Sequence, residues 1–94
     1  MLSAIRNAIE ERKILEIDYP PGKRIIEPHA LGYSSDGKLL LRAFQTDGAS
    51  ATGKRKDWKL FSLDRVNGIS SSGGNFGGVR LGYRRGDSAM KGGI

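Results

Sequence analysis

The chain contains no cysteine, which excludes a disulfide framework and any thiolate metal site. It has one histidine, and its acids are scattered. No nucleophile–base pair and no metal-ligand cluster is recognisable by spacing. No apolar run is long enough for a membrane-spanning helix. The start, Met1-Leu2-Ser3-Ala4-Ile5-Arg6, lacks the basic opening and apolar stretch of a secretion signal. A cytoplasmic location is therefore expected, with no membrane partner and no cofactor. At 94 residues the chain has room for one domain with one modest core.

Acidic charge is scarce in the second half. Residues 1–47 hold seven Lys or Arg against seven Asp or Glu. Residues 48–94 hold nine cations against Asp57, Asp64 and Asp87, so that half carries the whole net charge of +6. A one-sided positive field favours an anionic partner such as nucleic acid or a phosphorylated ligand, although basic surfaces also serve solubility.

Leu2, Ile5, Ala8 and Ile9 recur at helical spacing over residues 2–13. The period then shortens to two: Leu15, Ile17 and Tyr19 alternate with Glu16 and Asp18, which predicts a half-buried strand. Pro20-Pro21-Gly22-Lys23 must turn. An extended run resumes at Arg24, meets Pro28 as an edge or bend, and reaches a second turn at residues 34–37. Leu39–Phe44 and Trp58–Leu63 predict two more strands around a polar loop at 47–57, and a short fifth strand starts near Ile69. From Ser70 the glycine content predicts irregular chain, with Phe76, Val79, Leu81 and Tyr83 as spaced anchors. The fold class expected is mainly β: a small five-stranded barrel, closed or nearly closed, with one N-terminal α-helix and a Gly-rich C-terminal tail. Residues 1–70 form the barrel domain in this reading, and 71–94 the Gly/Arg-rich extension.

The order of residues resembles the WYL domain family. The resemblance rests on Ala8-Ile9, Tyr19, Arg24-Ile25-Ile26-Glu27-Pro28-His29, Leu31, Gly37-Lys38-Leu39-Leu40-Leu41 and Phe61-Ser62-Leu63-Asp64-Arg65-Val66, and covers about residues 4–70. The most specific parts are Arg-Ile-Ile-Glu-Pro and Phe-x-Leu-Asp-Arg-Val. The naming triplet is degenerate, with Leu39-Leu40 in place of Trp-Tyr and only Leu41 agreeing, and Lys59 stands near the usual arginine of the fourth strand. The resemblance implies an Sm-like (Src-homology-3-like) barrel. It also implies a regulatory or sensor role in binding nucleic acid or a nucleotide-like ligand. Members are often fused to a DNA-reading helix-turn-helix in bacterial transcription and phage-defence regulators. With one predicted helix this chain is expected to stand alone or to work on a partner.

Candidate binding residues follow. Arg24, Arg42 and Lys59 are cations inside predicted strands, where an unpaired buried charge is costly and Arg can grip phosphate bidentately. Arg65 lies in the Phe-x-Leu-Asp-Arg-Val segment and is grouped with them. Solvated strand faces, or pairing with Glu27 or Asp64, would explain the same cations. His29 could donate to a phosphate or stack on a base, though a lone histidine is more often structural. Tyr33, Phe44 and Trp58 could stack on bases but in so aromatic-poor a chain belong more readily in a core. Gly48–Arg55 nearly spells a Walker A loop. Arg55 stands where Ser or Thr must hold magnesium, and a strand follows where a helix is needed. Lys54-Arg55-Lys56 remains a plausible phosphate contact. The expectation is a non-enzymatic module for nucleic acid or an anionic nucleotide-like ligand. The alternative is a protein-interaction subunit docking on a larger regulator or nuclease. Self-association stays open in both.

Overall fold

The computed structural model describes residues 1–78, 80, 82–83 and 92–93. A helix, α1 (Leu2–Glu11), leads into five antiparallel strands: β1 (Lys13–Tyr19), β2 (Gly22–Tyr33), β3 (Leu39–Gly48), β4 (Asp57–Ser62) and β5 (Gly68–Asn75). A two-residue strand, β6 (Gly92–Gly93), pairs with Gly32 and Tyr33 of β2. The mainly β architecture with one N-terminal helix is the one the periodicities predict. No helix among the described residues is long and apolar enough to cross a membrane.

The helix ends where Arg12 takes a left-handed conformation (φ 55°) and its N–H caps the carbonyls of Ala8 and Ile9. That reversal lays Ile5 and Ala8 onto the sheet, where they are buried. Leu15, Ile17 and Tyr19 of β1, Ile26 and Leu31 of β2, Leu41 and Ala43 of β3 and Phe61 of β4 complete the core with Leu63 and Val66. Cross-strand partners share a face, so Leu31, Leu41 and Phe61 form one inward row.

The strand order is β4-β3-β2-β1-β5, and no ladder joins β4 to β5, so the sheet is not closed. Instead the chain crosses from one edge to the other through a 3-10 turn at Leu63–Arg65. Leu63 and Val66 are buried in this crossing, and the Asn67 N–H bonds the Asp18 carbonyl at 2.9 Å. Apolar side chains thus seal the end of the core where backbone pairing would otherwise be needed.

Two local readings change. The fifth strand extends through Asn75, across the serines and glycines predicted to be irregular. β1 supplies partners for Gly68–Ser71 and again at Asn75, so ladder hydrogen bonds outweigh glycine's conformational entropy. Phe44 and Trp58 leave the core, because the inward register of β3 and β4 is held by Leu41, Ala43 and Phe61. Tyr33 is exposed as well. Pro28 lies inside β2 at a shift of register between Pro28 and Ala30. Its missing N–H costs little, since the β1 ladder has already ended at Ile26.

Ile5 ties helix to sheet with a fully buried side chain. Ile5→Ala is expected to lower unfolding free energy by about 2–5 kcal/mol, measured by chemical denaturation. An unchanged midpoint would mean that α1 is a loose appendage.

Candidate functional site

At one end of the inward face the core turns polar. Arg24 lies opposite Ile17 on β1 and Gly48 on β3 and is only 4 % exposed. Its Nε donates to the Tyr19 carbonyl at 3.3 Å, its Nη1 to Gln45 Oε1 at 3.4 Å and its Nη2 to the Pro20 carbonyl. The guanidinium also lies over the rings of Tyr19 (5.0 Å) and Phe61 (5.5 Å). A second guanidinium, from Arg65, sits 5.0 Å from the same Tyr19 ring. Among the described residues neither arginine forms an ion pair with a carboxylate. Burial first, and repulsion from Arg65 in smaller part, push the Arg24 pKa below its ordinary value.

The surrounding groups hold this end rigid. Gln45, fully buried, accepts from Arg24 and donates through Nε2 to the Ala49 carbonyl at 2.8 Å. The Tyr19 hydroxyl accepts the Ser62 N–H at 3.2 Å, and its ring meets Phe61 edge-on at 4.9 Å. Gly48 has φ +106°, and a Cβ there would collide with the Lys23 carbonyl, so only glycine lets β3 close this tightly on β2. Lys59 shares the inward face with Ala43 and reaches the loop, donating to Ser50 Oγ (3.1 Å) and Thr52 Oγ1 (3.3 Å). Lys54, Arg55 and Lys56 follow in the same loop and are exposed. The Walker-like segment runs into β4 rather than a helix, so it forms no phosphate loop of that kind.

The outer face has the opposite chemistry. Glu27 pairs with Phe44, and Phe44 with Trp58, across three strands. The Glu27 carboxylate is almost buried and takes two bonds from Arg80, at 2.7 Å from Nε and 3.0 Å from Nη2. Arg80 also covers the Phe44 ring at 4.3 Å. His29 bonds the Glu27 carbonyl through Nδ1 at 2.8 Å, and its Nε2 accepts the Arg80 N–H at 3.1 Å. Those roles require the neutral Nδ1–H tautomer. Trp58 (4.8 Å), Phe76 (5.2 Å) and Tyr83 (5.4 Å) surround the imidazole. Burial is the main cause that lowers the His29 pKa. Arg42 lies on this face beside Ala30 and Leu60.

A family model for the WYL domain matches residues 1–71. This chain belongs to the WYL domain family. No curated protein matches it, and no solved structure does. Within this WYL domain the nine candidate residues fall into separate groups. Arg24, Lys59 and Arg65 share the inward end, with Lys54, Arg55 and Lys56 on the adjoining loop. His29 and Arg42 lie on the outer face, and Tyr33 is exposed at the far end of β2, opposite Leu39. Sequence reasoning missed Gln45 and the pairing of Glu27 with Arg80. A glutamine inside an apolar strand run was the available signal for the first. Nothing local links Glu27 to a residue 53 positions away.

Arg24 gives one expected outcome. Arg24→Ala leaves two backbone carbonyls and Gln45 Oε1 without their donor, so stability should fall by about 1–3 kcal/mol, read from denaturant midpoints. Arg24→Lys should recover little, because an ammonium lacks the planar fork. A variant as stable as the parent would refute this role.

His29 gives another. Its folded pKa lies below its ordinary value near 6.5, so the released imidazole binds protons more readily than the docked one. The contribution of His29 to the docking of Phe76, Arg80 and Tyr83 is therefore fully present above about pH 6.5 and is lost as pH falls toward the depressed value. Glu27 on β2 opposes the shift and Arg80 reinforces it. Fluorescence of the single tryptophan, Trp58, should change as pH falls below about 6.5, and His29→Gln should abolish that change. A flat parent profile would contradict it.

Proposed function

We propose that this WYL domain is a non-catalytic regulatory module that binds nucleic acid or a nucleotide-like anion at the Arg24–Tyr19–Arg65 end of its sheet. The observation that carries this reading is two guanidiniums on one tyrosine ring with no carboxylate paired to either among the described residues. Like charges held together repel, and an arriving anion relieves that repulsion.

The two arginines have different parts in this reading. Arg24 has three of its five donors engaged by the chain itself and is buried, so it contributes a fixed positive field. Arg65 is exposed and is free to grip a phosphate bidentately. Lys59, on the same face, and Lys54, Arg55 and Lys56 extend the field along the loop. Tyr19 is buried, with both of its cations close to the ring, which leaves it no open surface for a base to stack on. Recognition at this end therefore reads phosphate charge rather than base identity. Among the described residues no His, Cys, Asp and Glu gather into a metal-binding group, and no activated nucleophile accompanies the arginines.

Binding of a labelled single-stranded oligonucleotide, followed by anisotropy across a salt series, tests this. The logarithm of affinity should fall with that of salt, with a slope on the order of −2 to −4 for a few phosphate contacts. Arg65→Ala should weaken binding by about 10- to 100-fold, the loss of one charged hydrogen-bonding group, with the melting temperature nearly unchanged. Replacing Lys54, Arg55 and Lys56 together should reduce the slope by about 2. Absence of any binding at low salt, to oligonucleotide or to free nucleotide, would overturn the proposal.

A further inference from the structure

The outer face of the sheet carries a second recognition surface, and the chemistry there is cation-selective. From the buried Glu27 carboxylate, the His29 Nε2 acceptor and the Phe44 and Trp58 rings held side by side on β2, β3 and β4, we infer that this face is a receptor for an arginine-bearing, glycine-spaced aromatic segment of a partner protein. Phe76, Arg80, Gly82 and Tyr83 of the chain itself are its internal occupant.

The receptor half is built and the occupant half is replaceable. Glu27's side chain is 8 % exposed while that of Arg80 is 43 % exposed, so the carboxylate is set in the sheet and the arginine comes from outside. His29 is oriented by its own strand, through Nδ1 to the Glu27 carbonyl. Its Nε2 therefore presents an acceptor to any passing backbone N–H. Strand-borne groups of this kind keep their separations when the occupant leaves. The occupant reads as a pattern of aromatic, arginine and aromatic: Phe76 stacked on His29, Arg80 on Glu27 and Phe44, and Tyr83 tilted over His29 and Trp58. Glycine is part of it. Gly82 has φ +94°, and a Cβ there would stand 3.0 Å from Trp58 Nε1. A groove of about 560 Å³ continues beside His29 and Tyr83 to Arg6 and Glu10 of α1, with room for flanking residues.

Two alternatives fit less well. A nucleic acid would bring phosphates to a face with a buried carboxylate at its centre, where like charges repel. Exchange of the segment with a second copy is impeded by its tether. Asn75 ends β5, its Nδ2 bonds the Glu11 carbonyl at 3.0 Å, and the next residue, Phe76, is fixed to the Arg12 carbonyl at 2.8 Å. That anchor at Phe76 keeps the segment close to its own sheet and shortens its reach to a second molecule, whereas displacement by a free partner segment leaves the anchor and β5 in place.

A fluorescein-labelled peptide with the sequence of residues 75–84 is titrated into the full chain, the full chain with Arg80→Ala, and the full chain with both Arg80→Ala and Glu27→Gln. Circular dichroism and melting confirm that each is folded. Arg80→Ala weakens the internal occupant, so the peptide should bind this variant about tenfold or more tighter than the parent. Adding Glu27→Gln, or replacing the peptide's arginine by glutamine, should cost about tenfold or more. If Arg80→Ala melts early, Arg80→Lys serves in its place: it keeps the charge and loses the fork. No peptide binding by a folded Arg80 variant, or binding indifferent to Glu27→Gln, overturns the inference. So does tighter oligonucleotide binding by the Arg80 variant than by the parent, which would assign the face to nucleic acid. Sedimentation of the parent should remain monomeric across concentration, and a dimer abolished by Glu27→Gln would assign the face to self-exchange instead. All these outcomes are independent of Arg65, so failure here leaves the anion-binding reading standing, and the converse.

Discussion

One strand carries two buried charges of opposite sign that cannot meet. Arg24 and Glu27 are three residues apart on β2, and in an extended chain that odd spacing sends them to opposite faces of the sheet. Each must therefore find its own environment. Arg24 goes inward and is satisfied by carbonyl oxygens, a glutamine and two aromatic rings. Glu27 goes outward and takes an arginine from the far end of the chain. Had they paired, the two charges would have neutralised each other on one face of the sheet. Their separation leaves a net positive end on one face and an arginine-paired carboxylate on the other.

Burial without a full ion pair is tolerable because hydrogen bonding is complete. Among the described residues no buried side-chain polar atom lacks a partner, which removes the main penalty of placing polar groups in a low-dielectric interior. The cost moves to specificity. The Arg24 fork needs two carbonyls of the Tyr19–Pro20 turn, and Arg24 lies opposite Gly48, where a side chain would collide with the Lys23 and Arg24 backbone. Turn, glycine and guanidinium are therefore mutually dependent. The unclosed sheet follows the same economy: a crossing turn with Leu63 and Val66 seals the core end, and Arg65, beside them in sequence, is delivered to Tyr19.

The C-terminal segment follows a different logic. Its glycines read as irregular chain when considered locally. Placed on the sheet, Gly82 lies close against the Trp58 indole, with the following Tyr83 tilted over it. The same composition that cannot hold structure alone is suited to lie flat on an aromatic surface made by other strands. Phe44 and Trp58 serve that surface because they alternate with the inward residues Leu41, Ala43 and Phe61, next to the polar Gln45 and Lys59.

Period-two alternation in β1, helical spacing in α1 and the Pro20–Gly22 turn are short-range patterns, and they determine the helix, the strands and their order without reference to anything distant. The segments Arg24–His29 and Phe61–Val66 likewise carry the family in local residues. The exposed cluster Lys54–Lys56 is legible for the same reason, since a polar loop between two strands has nowhere to be buried. What the local pattern leaves undetermined is which face each strand cation occupies, because two shifts of register along the β2–β3 pair change the alternation midway. Only tertiary structure separates Arg42 and His29 from Arg24, Lys59 and Arg65. Only it brings Arg80 across 53 residues to Glu27, and only it takes Phe44 and Trp58 out of the core. Strand formation is a property of neighbours in sequence. The assembly of a charged site depends on register between strands, which is settled when the whole core packs.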